Sequence, residues 1–92
     1  MKYTVRIELI DGSPADYETL SRAIGPEGFE HSVASNDGTR FRLPPGEYNY
    51  DAKATANDVL EAAKRAAGRT GHPFRVLVTE VAGRIWYNLE SA

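Results

Sequence analysis

The sequence contains no cysteine and only two histidines in 92 residues. The absence of cysteine excludes disulfide bonds, thiolate metal sites and a cysteine nucleophile. His31 and His72 do not form a pair at metal-ligand spacing, and neither a glycine-rich phosphate loop nor a nucleophile-elbow motif is present. These absences disfavour a zinc enzyme, a nucleotide hydrolase and a Ser-His-Asp triad. We therefore expect no metal site and no small-molecule cofactor.

Long apolar runs and a strong net charge are also missing. No run approaches the ~18 apolar residues of a membrane span, and the first residues lack the apolar region of a signal peptide. Eleven basic and 13 acidic side chains give a net charge of −2, which indicates no particular partner. The length suits one domain over residues 1–92. The sequence predicts a cytoplasmic protein with no membrane partner.

Two helices are predicted from their capping sequences. Ser13-Pro14-Ala15-Asp16 can cap a helix over Pro14 to Ile24, with proline at its first position. Thr55-Ala56-Asn57-Asp58 repeats the capping pattern, and an apolar stripe then continues to Gly68. Both stripes recur at helical spacing, so each helix is expected to cover a core with one face.

Strands are predicted on both sides of each helix. Alternating or apolar segments occur at Tyr3 to Ile10, Phe29 to Ser35, Thr39 to Leu43, Glu47 to Asp51 and Phe74 to Val81. Asn36-Asp37-Gly38 favours a hairpin turn, whereas Pro44-Pro45-Gly46 interrupts the returning strand. The nearly continuous apolar run from Phe74 predicts a strand that is central or covered on both faces. Glu47 to Asp51 is either a continuation of the strand before it or an edge segment, and if it is a continuation, Ile85 to Leu89 could add a short fifth strand.

The order strand, helix, strand, strand, helix, strand is that of the ferredoxin-like fold. The predicted architecture is therefore α+β, a βαββαβ sandwich with two helices on one face of an antiparallel sheet. The opposite face is expected to be open, so function is expected there or along the sheet edges.

Strand alternation predicts an arginine-rich open face. If the apolar members of three strands face the helices, then Arg6, Arg40, Arg42 and Arg75 point the other way. Arginine binds phosphate in a bidentate geometry, so these residues are candidate RNA contacts. The alternative is that they are solvated positions, partly paired with Glu8.

Aromatic and acidic residues add further candidates. Tyr48 and Tyr50 lie two apart, so both can face the same way and stack on unpaired bases, or instead pack on a helix. Asp11 stands where the first strand enters a loop, a position that suits a catalytic acid, a metal ligand or an ordinary turn residue. His31 shares the alternation of Phe29, which suggests a packed side chain rather than a general base.

Several short stretches resemble the GhoS antitoxins of type V toxin–antitoxin systems. They are Tyr3-Thr4-Val5-Arg6-Ile7-Glu8-Leu9, Asp16-Tyr17-Glu18-Thr19-Leu20, Asp37-Gly38-Thr39 through Leu43-Pro44, Glu47-Tyr48 and Leu77-Val78-Thr79-Glu80. Members of that bacterial family are ferredoxin-like endoribonucleases, related in fold to CRISPR-associated nucleases, that cut the messenger RNA of a small membrane toxin. The resemblance implies catalytic roles for Asp11 and Arg22.

The sequence thus supports two functional hypotheses. The first is an RNA-binding antitoxin endoribonuclease, in which the arginines hold phosphates, Arg22 stabilises charge on the scissile phosphate and Asp11 positions or deprotonates the 2′-hydroxyl. The second is a non-catalytic interaction module, a homodimer or an inhibitor of a defence-related or phage-related protein. It would use the open face or the C-terminal strand, with Trp86 and Tyr87 as anchors.

Overall fold

The computed structural model describes all 92 residues. Its strands and helices are β1 (Lys2–Leu9), α1 (Pro14–Ile24), β2 (Ser32–Ala34), β3 (Arg40–Arg42), β4 (Glu47–Asp51), α2 (Ala56–Gly68) and β5 (Phe74–Glu80). A short 3₁₀ turn, Gly25–Glu27, follows α1.

Both predicted helix starts are confirmed. The Ser13 side chain accepts from the Asp16 backbone N–H, and the Asp16 carboxylate accepts from the Ser13 backbone N–H, which closes a capping box. Thr55 and Asp58 form the same reciprocal pair at α2. Each cap satisfies backbone donors that the first helical turn leaves free, an effect worth about 1 kcal/mol.

The main sheet has β1 at its centre, with β4 and β5 antiparallel on either side. The prediction that the Phe74 segment is central or covered on both faces is wrong, because β5 pairs only with β1. Arg75, Leu77 and Thr79 on β5 are exposed, whereas Phe74, Val76 and Val78 are partly buried. β5 is therefore an edge strand.

The other side of β4 meets the chain at Glu30, where Glu30 and Asn49 exchange two backbone hydrogen bonds of 2.8 and 2.7 Å. The spatial order is then β5, β1, β4 and the segment at Glu30, which is the ferredoxin-like order of last, first, third and second strands. The α+β ferredoxin-like fold is confirmed. β3 and β4 are the two halves of its third strand.

The break between these halves lies at Pro44, Pro45 and Gly46. Gly46 has a φ of 81°, and its carbonyl accepts from Ile7 N at 2.7 Å. This turn separates β3 from β4, so β2 and β3 form their own two-stranded sheet. The side chains of the hairpin therefore need not face the same directions as those of the main sheet.

The main core lies between the sheet and the two helices. Its largest fully buried side chains are Tyr3, Tyr48, Ile7, Leu20, Ile24, Val5 and Val59. The small residues of α2, Ala62, Ala63, Ala66 and Ala67, let that helix approach the sheet closely. The Tyr3 hydroxyl donates to the Ala54 carbonyl at 2.7 Å, which fixes the loop that precedes α2.

The predicted strand at Ile85 to Leu89 does not form. Instead, the chain after β5 lies across the sheet face opposite the helices, where the Arg84 guanidinium donates to Thr4 Oγ1, Tyr3 O and Asn49 Oδ1. The tail makes one isolated bridge, between Phe41 and Ser91. Backbone hydrogen bonds hold the end of the tail to β3, from Arg42 N to Glu90 O at 2.7 Å and from Ala92 N to Arg40 O at 3.2 Å. The Arg84 side chain holds its start.

The tail also covers a small second apolar cluster. Trp86 packs on Phe41 with ring centroids 5.7 Å apart. Val33 and Leu43 are buried outside the main core and line the same cleft as Trp86. Part of the face predicted to be open is therefore covered by the chain itself.

None of the helices has the length and apolar character needed to cross a membrane.

Candidate anion-binding groove

A groove of about 620 Å³ lies between α1 and the β2–β3 hairpin. It is lined by Gly12, Pro14, Tyr17, Glu18, Ser21, Arg22, His31, Arg42 and Pro45. Two guanidinium groups, one imidazole and one carboxylate line this surface. We call it the α1–hairpin groove.

One wall of the groove is a face of α1. Pro14, Glu18 and Arg22 lie four residues apart, so they follow one another along the same side of the helix. The capping box fixes where the helix begins. Hydrogen bonds from the Ser13 backbone N–H and hydroxyl lower the pKa of Asp16, with a smaller contribution from His72. The cap carboxylate therefore stays ionised at neutral pH.

The opposite wall comes from the segments beside β2 and β3. His31 Nε2 lies 3.1 Å from the Pro44 carbonyl oxygen. Since a carbonyl can only accept, Nε2 carries a proton and donates in this contact. The His31 ring also packs on Tyr48, at a centroid distance of 5.1 Å. The imidazole is thereby held in place, with Nδ1 free of any protein hydrogen bond.

Partly buried hydroxyl groups hold α1 against the sheet behind the groove. Ser21 Oγ and the Tyr48 hydroxyl share a hydrogen bond of 2.7 Å, and Leu9 N donates to the Tyr17 hydroxyl at 3.0 Å. Burial raises the pKa of Tyr48, so its phenol remains neutral. These contacts tie α1 to β4 and to the end of β1.

The groove arginines have little charge compensation. Arg22 makes no ion pair within 4.0 Å, and Arg42 makes one contact, 3.9 Å to the exposed Glu90 carboxylate. By contrast, Arg65 and Arg69 both pair with Glu27, which lowers the pKa of that carboxyl. Arg22 and Arg42 are therefore free to bind an anion.

The prediction that Arg6, Arg40, Arg42 and Arg75 share one face is wrong. Arg6 and Arg75 line a shallow pocket on the open face of the main sheet, where Arg75 pairs with Glu8 at 2.8 Å. Arg40 lies on the hairpin and bonds Glu30 and Ser32. Arg42 lines the α1–hairpin groove. The turn at Pro44 to Gly46 is the cause, because it reorients β3, whose Phe41 faces Trp86 rather than the helices.

The two tyrosines do point the same way, but towards the core. Tyr48 is fully buried, and the partly buried Tyr50 packs on Phe29 at 4.8 Å and on Tyr3 at 6.5 Å. The prediction that Tyr48 stacks on bases is therefore wrong. The packing alternative describes both residues.

Asp11 and Arg22 are not brought together in the groove. Asp11 is exposed at the end of β1 with a φ of 59°, makes no hydrogen bond or ion pair, and does not line the groove. Arg22 does line it. The Glu18 carboxylate and the His31 imidazole line it as well, and the sequence predicted neither as a site residue. The four-residue spacing of Glu18 and Arg22 could have placed Glu18 beside Arg22 on one face of the helix. Nothing in the sequence indicates that His31 lies close to them.

No three His, Asp or Glu side chains lie close enough together to hold a metal ion. Comparison with protein-family models and with curated proteins finds no match for this chain. The resemblance to GhoS antitoxins therefore stays a prediction.

Proposed function

We propose that this chain is a cytoplasmic RNA-binding protein that holds the sugar–phosphate backbone in the α1–hairpin groove and acts as an antitoxin endoribonuclease on toxin messenger RNA. The observation that carries the proposal is the presence of Arg22 and Arg42 in one groove, where Arg22 makes no ion pair and Arg42 makes only a 3.9 Å contact with Glu90. Guanidinium groups in that arrangement suit the oxygens of a phosphodiester.

Local charge supports this proposal better than net charge does. The chain carries −2 overall. Most of its other arginines are neutralised by neighbouring carboxylates, including Arg40 by Glu30 and Arg75 by Glu8. Arg6 on the open face makes no ion pair either, but the α1–hairpin groove is where two arginines without a close carboxylate partner line one surface.

The same groove contains the groups that RNA cleavage needs. Attack of a 2′-hydroxyl on the adjacent phosphorus forms a 2′,3′-cyclic phosphate and releases a 5′-hydroxyl. One group must take the 2′ proton and another must supply a proton to the departing 5′ oxygen. The Glu18 carboxylate suits the first role and a protonated His31 the second, with Arg22 stabilising charge on the phosphate. This assignment replaces Asp11, which does not line the groove.

The test is a salt titration of single-stranded RNA binding, measured by fluorescence anisotropy between about 50 and 200 mM salt. Arg22→Ala and Arg42→Ala are each expected to weaken binding roughly tenfold, equivalent to about 1.4 kcal/mol. Each should also reduce the salt dependence by about 0.7 in log–log slope, because one phosphate contact is lost.

Arg6→Ala and Arg75→Ala are the matched controls, since both arginines are exposed on the open face away from the groove. They should leave affinity within about twofold. If they weaken binding while the groove variants do not, the RNA site is the open face. If the unaltered protein binds no RNA at low salt, the proposal is wrong.

One observation favours a second candidate function, a protein-interaction module. Ile85 and Tyr87 are 100% and 92% exposed on the tail, while Trp86 between them is anchored on Phe41. Large apolar side chains displayed from an anchored segment suit contact with another protein. Ile85→Ser with Tyr87→Ser would abolish such binding and leave RNA affinity unchanged.

A further inference from the structure

The outer edge of β5 carries a row of unpaired backbone groups. Val81 N donates to Lys2 O, and Ile10 N donates to Pro73 O. Lys2–Val81 and Ile10–Pro73 are therefore hydrogen-bonded pairs, and they show which pairs between them are hydrogen-bonded. In an antiparallel ladder, hydrogen-bonded pairs alternate with pairs that make no bond. The backbone groups of Arg75, Leu77 and Thr79 therefore point towards β1. Those of Phe74, Val76, Val78 and Glu80 point outward.

This edge lacks the proline and the bulge that often protect an edge strand, and its two charged residues, Arg75 and Glu80, lie towards its ends. β5 is seven residues long and contains no proline. Its central residue, Leu77, is 63% exposed, one of only four large hydrophobic residues that are exposed in the protein. Long apolar edges of this kind readily pair with another strand.

We propose that β5 pairs with β5 of a second copy of this chain, antiparallel about a twofold axis at Leu77, to form a homodimer with one continuous sheet. The proposal concerns a surface separate from the α1–hairpin groove and does not depend on RNA binding. A twofold arrangement requires the edge to be complementary to itself, and the positions of the outward groups allow this.

One register satisfies every outward group. With Leu77 opposite its own copy, Val76 faces Val78 and Phe74 faces Glu80 of the second chain. All four are residues whose backbone groups point outward, so four hydrogen-bonded pairs form. Shifting the register by two residues leaves some of these groups without a partner.

Side chains fit the same register. Directly opposite residues lie on the same face of an antiparallel sheet. The two Leu77 side chains would then meet on the open face, which removes their exposed surface from water. Arg75 would lie opposite Thr79, so no like charges face each other. The valines would extend the apolar surface beneath the helices, since Val76 and Val78 already pack against the core.

The sharpest test uses the absence of native cysteine. Leu77→Cys introduces a single thiol on the proposed axis, where opposite Cα atoms of a non-hydrogen-bonded pair are about 4.5 Å apart, within disulfide range. Under mild oxidation it should form a covalent dimer nearly completely. Arg75→Cys is the matched control, because its two copies would lie about 13 Å apart, too far for a disulfide. Equal cross-linking of both variants would overturn the register.

Sedimentation equilibrium tests the dimer without oxidation. The unaltered chain should reach twice its 10.1 kDa mass as concentration rises. Leu77→Lys places two positive charges next to each other on the twofold axis. Val78→Pro removes an outward N–H that β1 does not use. Each variant should be monomeric, with a circular dichroism spectrum like that of the unaltered chain. Ile85→Lys, on the tail, should still dimerise. A chain that stays monomeric up to about 1 mM, or a dimer that survives Leu77→Lys, would overturn the proposal.

Discussion

Arg84 Nη2 donates to Asn49 Oδ1 at 2.7 Å and thereby ties the C-terminal tail to the middle of β4. Asn49 is the only buried polar residue of the chain, with 9% exposure. Burial lowers the pKa of Arg84, an effect that the charge of Asp51 partly offsets. The guanidinium thus gives the buried Asn49 side-chain oxygen a hydrogen-bond donor. The backbone bonds of the strands do not supply one.

Arg84→Ala is therefore expected to lower the free energy of unfolding by roughly 1–3 kcal/mol, because Asn49 loses a partner while still partly covered. Release of the tail should also move Trp86, the only tryptophan, into water. Urea unfolding and a red shift of tryptophan fluorescence measure the two effects. Arg75→Ala, which removes an exposed arginine, should change stability by less than about 0.5 kcal/mol. Equal effects of both substitutions would contradict the anchoring role.

Gly46→Ala is expected to destabilise the fold by roughly 1–3 kcal/mol or more. Gly46 has a φ of 81°, and an added Cβ would strike the Ile7 carbonyl oxygen. Gly68→Ala is the matched control, because Gly68 ends α2 with no atom near the added carbon. That change should be neutral or stabilising by up to about 1 kcal/mol. Chemical unfolding compares the two variants directly, and a neutral Gly46→Ala would refute the steric account.

Acid should destabilise the protein through carboxylates whose pKa values are lowered in the fold. Hydrogen bonds from Ser35 and Thr39 lower the pKa of Asp37 to about 2, from 3.8. A lowered pKa stabilises the fold above the unfolded value, and this contribution is lost as pH falls from about 4 towards about 2. Asp16 and Glu27 shift in the same direction. Melting temperatures between pH 2 and 7 should fall steeply in that window, and less steeply in Asp37→Asn.

The proposed cleavage chemistry predicts that binding and catalysis can be separated. Glu18→Gln and His31→Gln should each lower the rate of RNA cleavage by 100-fold or more, on the order of a general acid–base contribution, with little loss of affinity. Asp11→Asn should keep both activities. The measurements are single-turnover cleavage and anisotropy on the same RNA. Cleavage that requires Asp11 and tolerates His31→Gln would instead favour the assignment implied by the family resemblance.

Much of the fold was predictable because its signals are local. The capping boxes at Ser13 and Thr55 depend on residues three apart, and the alternation of β1 depends on neighbours. Both therefore appear in the sequence as they do in the structure. The α+β order and the bounds of α1 follow from such patterns. The burial of Tyr3, Val5, Ile7 and Leu9 does too.

The candidate site depended on long-range geometry. The turn at Gly46 separates β3 from β4, so the alternation that placed Arg42 beside Arg6 no longer applies across it. Arg42 joins His31 and Arg22 in a groove only because the hairpin packs beside α1. No local pattern records that approach.

The sequence by itself determined which segments are helical or extended and which side chains can carry charge, since these properties depend on each residue and its near neighbours. Only the tertiary structure decided which charges meet. It neutralised Arg40 and Arg75, left Arg22 and Arg42 available, and used Arg84 to lay the tail over the sheet. Ion pairing and burial depend on contacts between residues far apart in the chain, and strand alternation cannot be carried through a turn that reorients a strand.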